Sequence, residues 1–151
     1  FLHNPLVFIV PLDHPLADVK ALTLADLMPY RFLLREPGSA TRMLFESELQ
    51  SRGLVLSDSV QMASNEAIRV AVSSGMGIAV LSHHVLPKGD NSFKVLNVTD
   101  TCLASHWYFV VRTDRHISHA ARSFLKFAQL NLEQYLDKQW VRNELNGLNL
   151  K

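Results

Sequence analysis

Side chains that could bind an anion are concentrated in the segment 35–42, which reads REPGSATR. An apolar run over residues 30–34 precedes this segment, and hydrophobic residues recur at helical spacing behind it. This pattern predicts a strand, a turn and a helix that begins near Ser39. The first N–H groups of such a helix have no partner within the helix, so they can receive an anion or a hydroxylated small molecule. The predicted residues of this half of a binding site are Arg35, Ser39, Ala40, Thr41 and Arg42.

A second helix start of the same kind follows a second predicted strand. Ser64 or Asn65 can cap this helix, and Gly75 ends it. Ligands of open α/β sheets bind at the carboxyl ends of the strands, so we expect the two helix starts to form one site. The further predicted ligand-binding residues are Ser64, Asn65, Glu66 and Ser82.

Each of these residues also has a purely structural interpretation. A serine or threonine at a helix start can do no more than cap its helix. Arg35 and Arg42 could pair with a phosphate or carboxylate of a ligand, or with Glu36 or Glu46 of the chain itself. The sequence leaves both alternatives open.

The elements that must position these residues follow an α/β pattern. A strand, a capped helix and another strand occur in that order twice, which predicts a mainly parallel sheet. The last helix begins at Ser118, with an apolar face of Ala121, Phe124, Leu125, Ala128, Leu132 and Tyr135. The predicted strands are residues 5–11, 30–35, 55–62, 77–82, 93–98 and 106–112. The predicted helices are residues 23–27, capped by Thr23, then 39–51, a helix from 64 or 65 with the apolar face Ala67, Ile68, Ala71 and Val72, and 118–137.

Composition excludes some classes of function. The chain of 151 residues has 15 basic and 14 acidic residues, a net charge of +1, which gives no basic field for direct binding of nucleic acid. One cysteine allows no internal disulfide and fits a reducing compartment. No apolar run approaches the roughly 18 residues that a membrane span needs, so no membrane partner is predicted. Because Phe1 lies within apolar sequence and is not a methionine, we expect the chain to be a fragment.

No set of residues indicates catalysis or metal binding. The seven histidines do not have the spacing of metal ligands, so no metal or other cofactor is predicted. Ser39 is not in a Gly-x-Ser-x-Gly elbow, and Cys102 has only His106 near it in sequence. Trp107, Tyr108 and Phe109 are predicted to form a strand buried against a helix. We therefore expect a protein that is not an enzyme.

Five motifs in register resemble the effector-binding domain of LysR-type transcriptional regulators. They are His14-Pro15-Leu16-Ala17, the segment 35–42, Ser64-Asn65-Glu66-Ala67-Ile68, Gly75-Met76-Gly77-Ile78-Ala79 and Ser118-His119-Ala120-Ala121. The resemblance covers nearly the whole chain and is strongest to the branch that controls Calvin-cycle (RuBisCO) operons, where REPGSGTR and SNEAI are typical. Ala40 stands where that branch usually has glycine.

This resemblance implies a fold like that of type II periplasmic binding proteins, with two Rossmann-like lobes and a mixed, mainly parallel sheet. On that mapping, residues 1–17 are the end of lobe I and a crossover strand, 18–108 are lobe II, and 109–151 return to lobe I with the C-terminal helix. The chain would carry lobe II whole and lobe I in part. The remaining strands and helices of lobe I and a DNA-binding winged helix-turn-helix would precede Phe1.

The resemblance also implies a function. We expect a ligand-sensing domain that binds a small anionic metabolite in an interlobe cleft and thereby alters the geometry of a homodimer or homotetramer. DNA would be a partner only through the N-terminal domain, and the protein would be cytoplasmic. The alternative is a solute-binding protein of a transport system, which would carry a secretion signal.

Overall fold

The computed structural model describes residues 1–112, 114 and 116–142 of the chain. These residues form two compact units. The larger unit is Pro5–Ala104, and the smaller unit combines Phe1–Asn4 with the described residues from Ser105 onward. Within the described residues, no helix is both long enough and apolar enough to span a membrane.

A mixed sheet forms the centre of the larger unit, in the strand order β3-β2-β4-β1-β5. β2 is parallel to both of its neighbours, whereas β1 is antiparallel to β4 and β5. β1 therefore runs against the other four strands, and the predicted mixed, mainly parallel sheet is confirmed. The strands are β1 (Leu2–Pro11), β2 (Arg31–Leu34), β3 (Asp58–Gln61), β4 (Ile78–Ser82) and β5 (Phe93–Val95).

Two helices cover opposite faces of this sheet. α1 (Ala40–Ser51) follows β2 and buries Phe45 and Leu49, while α2 (Asn65–Ser73) connects β3 to β4 and buries Ile68, Ala71 and Val72. Because successive side chains of a strand point to opposite faces, β2 and β4 contribute to both cores. The α1 side takes Phe32, Leu34, Ile78 and Val80. The α2 side takes Leu33, Ala79 and Leu81. Burial on both faces explains why these strands are continuous apolar runs.

Two shorter elements complete the larger unit. The helix predicted at residues 23–27 is a 3-10 helix, Leu24–Leu27, and the Thr23 backbone N–H and hydroxyl both donate to the Asp26 carboxylate. This carboxylate has a lowered pKa because it accepts these two hydrogen bonds. A second 3-10 helix, His83–Val85, follows β4 and was not predicted.

The smaller unit contains α3 (His119–Tyr135) and most of β6 (Ala104–Trp107), which pairs with β1. The Ser118 hydroxyl accepts a hydrogen bond from the Ala121 N–H at 3.2 Å, so the predicted helix cap is confirmed. The buried residues of α3 are Leu125, Ala128 and Leu132. Around Ala128 and Leu132 pack Phe1, Phe109, Leu136 and Val141.

Several boundaries and faces differ from the prediction. β1 begins at Leu2 rather than at residue 5, and β3 is shorter than residues 55–62. The strand predicted at residues 106–112 is wrong, since β6 ends at Trp107. Strand propensity is realised only where a neighbouring strand offers ladder partners, and β1 offers them to residues 104–107.

Several residues predicted to be buried are exposed. Trp107 and Tyr108 are 40% and 71% exposed, so the prediction that they lie in a buried strand is wrong. A helix buries only the stripe that meets its neighbour, and the residues outside that stripe face water whatever their polarity. The helical residues that the prediction placed on a buried face and that the structure leaves exposed are Ala67, Ala121, Phe124 and Tyr135.

Candidate functional site

Three parallel strands end at one edge of the sheet in the larger unit. The register pairs Leu34 with Gln61 and Leu33 with Ala79, so the carboxyl ends of β2, β3 and β4 lie side by side. α1 begins six residues beyond Leu34, the last paired residue of β2, and α2 begins four residues beyond Gln61, the last residue of β3. The edge therefore receives both of the helix starts that the sequence singled out.

The start of α1 presents groups that the helix itself does not use. The first backbone hydrogen bond joins the Met43 N–H to the Ser39 C=O at 2.9 Å, so the three preceding N–H groups point out of the helix end. Ser39 is the N-cap residue, but its side chain makes no capping hydrogen bond. Within the part of the chain that the structure describes, the Thr41 hydroxyl also has no hydrogen-bond partner. Two hydroxyl groups and three N–H groups can therefore donate to a ligand.

The start of α2 is organised differently. The Ser64 hydroxyl accepts a hydrogen bond from the Ala67 N–H at 3.1 Å, which caps the helix. The capping alternative therefore holds for Ser64 and not for Ser39. Asn65 is half-buried, and Glu66 is exposed with its carboxylate in the first turn.

Arg35 connects the two helix starts. Its Nη1 donates to the Asn65 Oδ1 at 2.8 Å, across the gap between the end of β2 and the start of α2. Its Nε and Nη2 donate to the two carboxylate oxygens of Glu36 at 2.8 and 2.9 Å. This bidentate pair lowers the pKa of the Glu36 carboxyl and raises that of Arg35, since each charge is stabilised by the other.

Arg42 is also engaged within the chain. Its Nε donates to the Glu46 carboxylate at 2.7 Å, one helical turn away, and its Nη1 donates to the Arg35 C=O at 2.9 Å. The salt-bridge alternative is therefore confirmed for both arginines. Because each guanidinium faces a carboxylate, the edge attracts anions through N–H and hydroxyl donors more than through net charge.

Ser82 lies at the same edge of the sheet as Arg35, but on the opposite face. It is the last residue of β4 and is buried, and its hydroxyl accepts a hydrogen bond from the His84 N–H at 3.2 Å. The alternation along β4 turns Ser82 toward the α1 side, together with Val80. The odd-numbered Arg35 belongs to the α2 side, where it meets Asn65.

The structure thus places the predicted residues at one edge of the sheet, where they differ in their hydrogen-bond partners. Sequence reasoning treated Glu36 only as a competitor for Arg35, whereas the structure makes it a component of the edge. The adjacent Arg-Glu pair was the available signal. Among residues 1–112, 114 and 116–142, no group of three or more His, Cys, Asp or Glu side chains could hold a metal ion.

A comparison with protein families matches residues 1–133 to the LysR substrate binding domain. The RuBisCO operon transcriptional regulator of Allochromatium vinosum is 40% identical over 129 residues, which cover 84% of this chain and 43% of that protein. The HTH-type transcriptional activator CmpR of Synechocystis sp. strain PCC 6803 is 37% identical over 129 residues, which cover 84% of this chain and 42% of that protein. The chain thus spans less than half the length of these relatives.

A solved structure is similar to this chain in both fold and sequence. The regulatory domain of Synechocystis PCC6803 CcmR, in complex with 2-PG, superposes with a TM-score of 0.77 at 32% sequence identity. The match covers 84% of this chain and 62% of that chain.

Proposed function

Because the chain belongs to the LysR substrate-binding domain family, we propose that it is the ligand-sensing domain of a DNA-binding transcriptional regulator. Its ligand is a small anionic metabolite. The observation that carries this proposal is the contact of Arg35 with both helix starts, through its hydrogen bonds with Asn65 of α2 and Arg42 of α1.

The family and the fold expected from the motifs are confirmed. The relatives include regulators of RuBisCO operons, as the segment 35–42 and the Ser64-Asn65-Glu66-Ala67-Ile68 motif predicted. The fold is the type II periplasmic-binding-protein-like α/β fold of LysR effector-binding domains. The assignment of residues 18–108 to lobe II, and of the rest to lobe I, stays a prediction.

The chemistry of the edge favours an anion that accepts several hydrogen bonds. The start of α1 offers three N–H groups with the hydroxyls of Ser39 and Thr41, and the start of α2 adds Asn65. Helix N-termini attract negative charge, and carboxylate or phosphate oxygens can accept from several donors at once. CcmR, whose regulatory domain was solved with 2-PG, supports this class of ligand.

The ligand acts by favouring one arrangement of the protein over another. In the proposed mechanism it occupies the interlobe cleft that the family resemblance implies, and it binds more tightly to one arrangement of the lobes. A homodimer or homotetramer transmits the change to an N-terminal DNA-binding domain. The protein acts in the cytoplasm, where its DNA is, and it has no catalytic role and no cofactor.

The alternative of a transport solute-binding protein is not favoured. It has the same fold class, but the relatives that match this chain are transcriptional regulators.

Calorimetric titration of the intact effector domain with 2-phosphoglycolate tests the proposal. Thr41→Val and Asn65→Ala should each weaken binding by about 1–3 kcal/mol, because each removes a donor to a charged ligand. The affinity should also fall as ionic strength rises. Thr101→Val and Asn97→Ala are matched controls, since their side chains bond to the Glu48 carboxylate and the Lys20 C=O instead. Unchanged affinity in both site variants would contradict the assignment, as would a ligand screen in which only neutral, apolar compounds raise the melting temperature.

A further inference from the structure

We propose that Arg35 is a positioning residue for Asn65, which holds the Asn65 side-chain amide so that only N–H groups face the ligand. This inference rests on the proposed function, because it concerns how the same sheet edge selects its ligand. It assigns Arg35 an indirect role, in place of the direct contact with the ligand that the sequence suggested.

The donor-only chemistry of arginine sets the orientation of the amide. A guanidinium group has five N–H donors and no acceptor, so the atom of Asn65 that faces it must be the oxygen. The observed distance from Arg35 Nη1 to Asn65 Oδ1 is 2.8 Å. Rotating the amide by half a turn would set N–H against N–H, which loses the hydrogen bond and leaves two donors in conflict.

Glu36 in turn fixes Arg35. The two parallel hydrogen bonds between their side chains restrict the guanidinium plane, and such bidentate pairs add geometric specificity to their strength. All three guanidinium nitrogens are thereby engaged, two with Glu36 and one with Asn65. The Arg35 side chain is 23% exposed, so solvent competes only partly for these bonds.

This orientation of the Asn65 amide favours ligand groups that accept hydrogen bonds. With its oxygen turned toward Arg35, the Asn65 amide points its Nδ2 group away from Arg35, and in the described residues that group has no other hydrogen-bond partner. In the first turn of α2 the Ala67 N–H is held by the Ser64 hydroxyl, whereas the Asn65 and Glu66 N–H groups have no acceptor within the helix. Carboxylate and phosphate oxygens fit the Nδ2 donor of Asn65, whereas an amine or an amide N–H of a ligand would meet this Nδ2 group as donor against donor.

A double-mutant cycle separates the indirect role from a direct one. Arg35→Met alone would leave the Glu36 carboxylate unpaired beside the ligand, so Arg35→Met and Glu36→Gln are combined as the pair variant, which conserves net charge. The probe is 2-phosphoglycolate, and calorimetry gives the affinity. Asn65→Ala should weaken binding about tenfold, and the pair variant should weaken it about three- to tenfold in the presence of Asn65. In the Asn65→Ala background the pair variant should cost less than about twofold, because Arg35 acts through Asn65.

Asn65→Asp tests the polarity of the amide directly. An aspartate keeps an oxygen for Arg35, but it presents a second oxygen where the wild-type residue donates. Binding should therefore weaken by at least about 30-fold, more than in Asn65→Ala, because a like charge faces the anion. In the wild type the side-chain NH₂ resonances of Asn65, identified by their loss in Asn65→Ala, should shift on addition of 2-phosphoglycolate.

The control is the ion pair at the opposite edge of the sheet. Arg31 and Asp58 pair at the amino ends of β2 and β3, and Arg31→Met combined with Asp58→Asn makes the same change in charge. This variant should bind the probe within about twofold of the wild type. Equal losses from the pair variant with and without Asn65 would overturn the positioning role and show that Arg35 contacts the ligand itself. Wild-type affinity in Asn65→Asp would also overturn the inference. A wild-type protein that binds neither 2-phosphoglycolate nor inorganic phosphate would overturn the proposed function and this inference with it.

Discussion

Ser39 and Ser64 occupy the same position at the starts of α1 and α2, yet only Ser64 uses its hydroxyl oxygen to cap its helix. An N-cap bond satisfies a backbone N–H that otherwise has no partner in the helix. The Ser39 hydroxyl is left available to a ligand. At the scale of the residue, two serines that both occupy an N-cap position therefore differ: Ser64 has a structural role, and Ser39 is a candidate ligand-binding residue.

This division can be measured by chemical denaturation. Ser64→Ala should lower the free energy of unfolding by about 1 kcal/mol, because the Ala67 N–H loses its acceptor. Ser39→Ala should lower it by less than about 0.5 kcal/mol, since no capping bond is lost. The order should reverse for binding of an anion, where Ser39→Ala has the larger effect. Equal destabilisation by the two variants would show that Ser39 also caps its helix in solution.

At the scale of the element, the site depends on how closely β4 approaches β2. Gly77 directly precedes β4, and a Cβ atom at this position would lie 2.6 Å from the Arg31 C=O oxygen. That oxygen belongs to the backbone of β2, so it cannot move without disturbing the strand. Because Gly77 has no side chain, β2 and β4 can approach closely. This contact lies at the opposite end of the two strands from Arg35 and Ser82.

Gly77→Ala should consequently destabilise the larger unit. The added methyl group forces a backbone shift between β2 and β4, and such overpacking costs about 1–3 kcal/mol. Ser74→Ala is the control, because it removes only an exposed hydroxyl that bonds back to the Val70 C=O. It should change the stability by less than about 0.5 kcal/mol. Thermal and urea unfolding of the two variants measure these changes in stability. An unchanged midpoint for Gly77→Ala would contradict the close approach of β2 and β4.

At the scale of the whole molecule, the two compact units differ in the cores that they bury. The larger unit packs one core on each face of its sheet, and the central strands β2 and β4 contribute to both. The smaller unit buries Leu125, Ala128 and Leu132 of α3. Other apolar side chains of α3, which are 51–80% exposed, are Phe124, Phe127, Leu130 and Tyr135.

Hydrogen exchange should reflect this difference. Amides with many buried neighbours open only with the whole core, whereas amides above a small core exchange through local opening. In the 151-residue chain, we expect the amides of β2 and β4 to exchange last and those of α3 to exchange earlier. Mass spectrometry of the exchanging chain measures both. If α3 were as well protected as β4, the smaller unit would be as stable as the larger one.

The order of strands and capped helices was predictable from local signals. Apolar runs bounded by turn residues located β2 and β4, and the N-cap serines with the following glycines located α1 and α2 within one or two residues. The motifs also predicted the family, which the comparisons confirm. These features depend on spacing within a short stretch of chain, so the sequence by itself determines them.

The predictions that were wrong concern contacts between residues that are far apart in sequence. The boundaries of β6 were wrong because a strand exists only where another strand pairs with it. The exposure of Phe124 was missed because helical spacing shows which residues share a face, but not how much of that face is covered. Likewise, only the tertiary structure decided that Arg35 reaches Asn65, 30 residues further along the chain, while Arg42 turns to Glu46. A guanidinium group can pair with any carboxylate or carbonyl within reach, and the fold alone determines which of them is near.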